Sequence, residues 1–156
     1  MQSTLANVII EESYDAMSRA AANAVLDAVN EKPDSVICVA TGASPVGVYA
    51  ELAGYRHELT RVRVLKLDEW GGLPMDDPAT CEVYIRTHVL DPWDVSDDHF
   101  DGFQSDAVDP VTECLRVQGI IDAWGGIDVA ILGMGPDGHI GLNYPAEALP
   151  AMACPT

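Results

Sequence analysis

Apolar and polar positions along this chain fall into blocks that switch between two periods. Between residues 13 and 30, Tyr14, Met17, Ala21, Ala24, Val25 and Ala28 recur at helical spacing behind Ser13, which predicts an amphipathic helix with Ser13 as its cap. Lys32-Pro33-Asp34 ends that pattern. Residues 35–40 (SVICVA) then form a short apolar run rich in β-branched side chains, as expected of a strand buried on both faces. Ser44 and Pro45 predict a second helix, capped by the serine, running to about Gly54. The alternation continues with a strand over 63–67 (RVLKL) and a helix opened by Asp77-Pro78 and carried to about Leu90. Asp109-Pro110 opens another helix, whose Val111, Cys114, Leu115 and Ile121 keep helical spacing as far as Trp124. After Gly125-Gly126, residues 127–132 (IDVAIL) read as a third buried strand.

Strands that alternate with helices imply one α/β domain over residues 1–156, a doubly wound, mostly parallel sheet of Rossmann-like three-layer form. Ligands of such sheets bind beyond the carboxyl ends of the strands. That rule selects three loops: 41–45, 68–78 and 133–145.

Each loop carries chemistry. Thr41, Gly42, Ala43 and Ser44 lie between a strand and a helix start, where backbone N–H groups, the helix dipole and two hydroxyls suit a phosphate; an ordinary capped turn reads equally well. Asp68 and Glu69 end the second strand. Alternation along a strand turns only one of them to the crevice, where a carboxylate can serve as a general base; a structural role, pairing with Lys66 or Arg63, is the other reading. The segment Gly133-Met-Gly-Pro-Asp-Gly-His139 formally matches a dinucleotide fingerprint. Pro136 and the run 141–145 oppose the helix that fingerprint requires, so the motif is set aside. What remains is Asp137, Gly138 and His139, a turn that places an imidazole for acid–base work near neutral pH, or simply a satisfied loop histidine.

Charge and cysteine usage narrow the classes. With 25 acidic against 8 basic residues, net −17, the surface repels nucleic acid and anionic membranes, and no apolar run is long enough to span a bilayer. The N-terminus lacks the basic stretch of a signal peptide. Cys38, Cys81, Cys114 and Cys154 are too far apart in sequence for a zinc knuckle or a redox pair, and a reducing cytoplasm fits them best, three of them as small buried hydrophobes. The acidity also means that a bound phosphate must rely on backbone N–H groups.

The segments ATGASPVGVYAEL (40–52), LDEWGGLP (67–74) and LGMGPDGHIGLNYP (132–145) resemble the three signature segments of glucosamine-6-phosphate deaminases and the related galactosamine-6-phosphate enzymes. The wider superfamily includes 6-phosphogluconolactonases, whose second segment has an arginine after the acidic pair where this chain has Trp70. The resemblance implies an isomerase/deaminase that converts a hexosamine 6-phosphate to a ketose phosphate and ammonia, with no metal and no organic cofactor. By the same resemblance Asp68 moves a proton between C2 and C1, and His139, oriented by Asp137, assists ring opening. Thr41, Gly42, Ala43, Ser44 and Gly138 then belong to the substrate and phosphate site, with Glu69 a carboxylate near it. A lactonase and a non-catalytic sugar-phosphate sensor are the alternatives, and homo-oligomer formation is left open.

Two departures stand out. The family places a glutamate beside the histidine where this chain has Tyr144, and a phenol, neutral at pH 7, does not replace a carboxylate; Glu147 is a substitute if the loop folds back. The chain also ends at Thr156, whereas the family continues with βα units that supply basic residues to the phosphate. The resemblance thus implies a C-terminally truncated domain with an exposed sheet edge.

Overall fold

Ser13 caps the first helix as its spacing predicts: the hydroxyl accepts a hydrogen bond from the Ala16 N–H at 3.1 Å, and α1 runs Tyr14–Glu31. The structure, a computed structural model, describes residues 7–144. Strand β1 is Val36–Val39, α2 is Val46–Ala53 and β2 is Arg63–Lys66. A continuous helical stretch follows, made of α3 (Cys81–Ile85), a π-helical turn (Arg86–Leu90) and α4 (Asp91–Trp93). The two-residue strand β3 (Phe100–Asp101), the helix α5 (Pro110–Trp124) and β4 (Val129–Ile131) complete the order.

Among the described residues the four strands are parallel, in the order β3-β2-β1-β4. Alternation along the strands makes the layers. Ile37, Val39 and Val64 face a core built with α1, α2 and the helical run that ends in Trp93. Val36, Cys38 and Leu65 point the other way, toward Val117, Ile121 and Trp124 of α5. Helices therefore cover both faces, and the expected three-layer α/β architecture is what forms. On the first face Trp93 and Tyr49 meet edge to face at 5.9 Å, the indole N–H donates to the Tyr49 carbonyl, and the Tyr49 hydroxyl donates to the Ala40 carbonyl at 2.6 Å. That last bond ties α2 to the carboxyl end of β1. Helices α1 and α2 approach so closely that a Cβ on Gly47 would overlap Ser18 and the Tyr14 ring.

Several local expectations are corrected. Ser44 does not cap α2; Pro45 occupies that position, and its side chain has no polar atom to bond the helix N–H groups, while Ser44 lies against Gly133 of the third loop. Asp77-Pro78 does not open a helix. Asp77 holds a turn by accepting from the Ala79 N–H, and the helix begins at Cys81, capped by the Thr80 hydroxyl and by the distant Glu69 carboxylate. It also continues past Leu90 to Trp93. β4 is not buried on both faces: Ile131 is buried, Ala130 is exposed, and Ile127 and Leu132 are exposed beside it. Among the described residues β4 is a sheet edge, so only its inward side chains find partners. The helix from Asp109-Pro110 forms as expected, Asp109 accepting from the N–H groups of Val111 and Thr112. Cys38, Cys81 and Cys114 are buried; Cys154 lies outside the described residues.

Candidate active site

The chain steps outward from β1 to β2 and β3, then returns through α5 to β4 on the other side of β1. Loops leaving β1 and β4 therefore diverge, and a crevice opens between them at the carboxyl ends of the strands. A cleft of about 340 Å³ occupies this position, bounded by residues 40–45 after β1, Asp68 and Trp70 after β2, Cys81 of α3, and the loop containing His139 after β4. Of the residues picked from sequence, Thr41, Gly42, Ala43, Ser44, Asp68 and His139 are brought together here; Asp137, Gly138 and Glu69 are not on its wall.

Loop 41–45 is held by two tyrosines that the sequence did not single out for it. The Tyr84 hydroxyl donates to the Gly42 carbonyl at 2.7 Å. The Tyr14 hydroxyl shares its hydrogen between the carbonyls of Ala43 (2.8 Å) and Ser44 (3.1 Å) and accepts from the Gly47 N–H at 2.8 Å. Three successive carbonyls are thereby neutralised by hydroxyls, which removes partial negative charge that would oppose an anion. Gly42 has φ +107°, a conformation that glycine adopts without strain. No lysine or arginine lines the cleft among the described residues.

Asp68 stands half-buried at the end of β2, with the Cys81 thiol donating to its Oδ1 at 3.8 Å. Burial raises its proton affinity and the neighbouring Glu69 charge adds to this, against the thiol, the Leu142 backbone and Lys66; the result is a carboxyl held above its ordinary range. Burial also pushes the Cys81 thiol up to about 12, so it is a protonated donor at neutral pH.

Glu69 turns the opposite way, into the protein interior. Its side chain is 1% exposed, and each oxygen takes two hydrogen bonds: Oε1 from the Trp70 and Cys81 N–H groups, Oε2 from the Glu82 N–H and from Lys66 Nζ at 2.7 Å. Lys66 also pairs with Glu82 at 2.8 Å, and Glu82 with Arg86 at 2.9 Å. Burial alone would raise the Glu69 carboxyl, but Lys66 and the backbone donors outweigh it and hold it below the usual range. Of the two partners considered from sequence, Lys66 pairs with Glu69, whereas Arg63 stacks on Trp124. The expectation that Glu69 is a near-site binding group is therefore corrected: its oxygens are committed to the protein interior.

The third loop folds back on itself after β4, with Met134 bridged to Ile140 and Ile140 to Asn143, and no helix starts there. The Gly135 N–H donates to the His139 carbonyl and the Gly138 N–H to the Gly135 carbonyl, so Gly138 serves the turn. His139 Nδ1 lies 2.5 Å from Asp137 Oδ1, and this contact draws the exposed Asp137 carboxyl below its usual range. A Cβ on Gly135 would overlap the imidazole. Tyr144 packs on the ring, while Glu147 lies outside the described residues. Among the described residues, no group of three or more His, Cys, Asp or Glu side chains is placed to hold a metal ion.

The switch-point crevice gathers a raised carboxyl and an imidazole held by a carboxylate, two groups whose chemistry suits proton transfer. The family of glucosamine-6-phosphate isomerases/6-phosphogluconolactonases matches residues 10–151. The Escherichia coli (strain K12) protein AgaI is 39% identical over 142 residues, covering 88% of this chain and 56% of AgaI. A glucosamine-6-phosphate deaminase of Lysinibacillus sphaericus (strain C3-41) is 38% identical over 144 residues, covering 90% of this chain and 61% of that protein. Among solved structures, a monomeric glucosamine-6-phosphate deaminase of the NagB superfamily superposes with a TM-score of 0.85 at 31% identity, over 92% of this chain and 61% of that one. The chain belongs to the glucosamine-6-phosphate isomerase/6-phosphogluconolactonase family. It spans 56% and 61% of the length of the two curated relatives named above.

Proposed function

We propose that the chain provides the acid–base half of a hexosamine 6-phosphate isomerase/deaminase. The observation that carries this reading is the presence of Asp68 and His139 on one cleft, with Asp137 bound to the imidazole from outside its wall and the Asp68 carboxyl raised toward useful basicity. Asp137 at Nδ1 leaves the other imidazole nitrogen for the ring oxygen of the sugar, where proton transfer opens the ring. Asp68 takes the proton from C2 of the open aldose and returns it to C1. The C2 imine that results adds water and expels ammonia, leaving a ketose phosphate. Loop 41–45, with its carbonyls held by Tyr14 and Tyr84, offers backbone N–H groups and two hydroxyls to the phosphate.

Within the family, the deaminase reading is favoured over the lactonase by Trp70 after the acidic pair, where the lactonase pattern has arginine. The buried cysteines suit a reducing cytoplasm. No helix among the described residues is long and apolar enough to cross a membrane.

Ammonia release, measured with glucosamine 6-phosphate and with galactosamine 6-phosphate, tests the proposal. Turnover of either sugar supports it and names the epimer. Hydrolysis of 6-phosphogluconolactone without ammonia release would replace it with the lactonase reading, and binding of hexosamine 6-phosphate without turnover would make the chain a sensor.

A further inference from the structure

Lys66, Glu69 and Glu82 form a buried charged cluster that lines no part of the cleft, yet it touches both elements that flank Asp68. Glu69 follows Asp68 directly. Through Oε1 it holds the N–H of Cys81, and the Cys81 side chain in turn donates its thiol hydrogen to Asp68 Oδ1. Through Oε2 it holds the N–H of Glu82, whose own carboxylate shares Lys66 with it. One buried carboxylate thus joins the end of β2 to the start of α3 across the eleven residues 70–80, which contain no regular element among them. The Thr80 hydroxyl supplies one cap bond to this helix start, accepting from the Val83 N–H, and Glu69 supplies the two to Cys81 and Glu82.

We propose that Glu69 is a positioning residue for Asp68: by fixing the strand end and the helix start together, it sets the orientation of the general base and presents the Cys81 thiol to it. Lys66 and Glu82 make this anchor tolerable in the interior, because a buried carboxylate is retained only when its charge and lone pairs are matched. The inference rests on the proposed isomerase/deaminase reading for its kinetic test, but not for its spectroscopic one. Asp68 is faced by Lys66 and Glu69 from its own strand end, by Cys81 from α3, by Cys38 from β1 and by Tyr49 from α2, and His139 shares its cleft.

The test compares the wild-type chain with Glu69→Gln and Cys81→Ala, after circular dichroism has established folding. The amide of Glu69→Gln turns an NH₂ group toward backbone N–H donors or Lys66, so the anchor loosens. Turnover is expected to fall by about tenfold or more, with KM within about threefold, because misorientation of a base is felt in the transition state and not in phosphate binding. Cys81→Ala keeps the backbone bond to Glu69 but removes the thiol, so the acid limb of the kcat profile moves to higher pH. Unchanged kcat in Glu69→Gln overturns the inference; if that variant does not fold, an unmoved acid limb in Cys81→Ala does so. If the wild-type chain releases no ammonia, the proposed function fails, and the Asp68 carboxyl carbon followed by ¹³C NMR decides the inference alone. A midpoint raised in Cys81→Ala supports it, and equal midpoints overturn it.

Discussion

The Tyr144 ring leans against the His139 imidazole, with centroids 5.6 Å apart and planes inclined at 50°. Where the family resemblance implies a carboxylate, a tilted phenol ring stands beside the imidazole, and among the described residues the carboxylate at Nδ1 is that of Asp137. Tyr144→Glu is expected to raise kcat/KM for ammonia release about tenfold, in line with what a carboxylate partner contributes to other histidines. Tyr144→Phe should leave the rate within about twofold, because packing rather than the hydroxyl is what the contact supplies. A loss of activity in Tyr144→Glu would mean that this site works with a single carboxylate.

Asp68→Asn removes the proposed base and leaves the cleft shape intact. Ammonia release should drop by roughly 10²–10⁴-fold or more, while calorimetry still detects hexosamine 6-phosphate binding. Residual activity within tenfold of wild type would assign proton transfer to another group.

The same variant makes a prediction about stability. A carboxyl whose proton affinity is raised in the fold, as burial raises that of Asp68 above 3.8, costs stability wherever it is ionised. That cost is present above the folded pKa and vanishes as pH falls through it toward 3.8. Asp68→Asn should therefore melt higher than wild type at pH 7, and the two curves should converge at about pH 4. A lower Tm at pH 7 would contradict the assigned direction.

Gly135→Ala places a methyl group where the His139 ring lies. The imidazole must move or the loop must open, and with either change the Asp137 contact is lost. Activity should fall at least tenfold with little change in Tm, because the loop lies outside both hydrophobic clusters. An active Gly135→Ala protein would show that His139 needs no fixed position.

Tyr14→Phe leaves the Gly47 N–H without its acceptor and frees the carbonyls of Ala43 and Ser44. Denaturant unfolding should report a loss of about 1–2 kcal/mol. Binding of inorganic phosphate should weaken alongside it, and unchanged phosphate affinity would remove the tyrosine from the site's support.

Periodicity alone determined the α/β alternation, the first and last helices with their Ser13 and Asp109 caps, and the central strand, because each is encoded by side chains close together in sequence. Together with the rule that ligands gather at strand ends, it also marked Asp68, His139 and loop 41–45. Short elements escaped it: β3 has two residues, too few to show a period, and exists through pairing with β2. The start of α3 at Cys81 was illegible because much of its capping comes from Glu69, twelve residues earlier, and no local spacing records that bond. Glu69 and Asp68 look alike in sequence, and alternation said only that they part. Only the tertiary structure shows which one enters the cleft: Glu69 is paired with the buried Lys66, and Asp68 is left to the crevice. Tyr14 read as one more apolar position of a helix. Only the crossing of α1 over α2, at the one glycine small enough to admit it, brought its hydroxyl to the loop carbonyls.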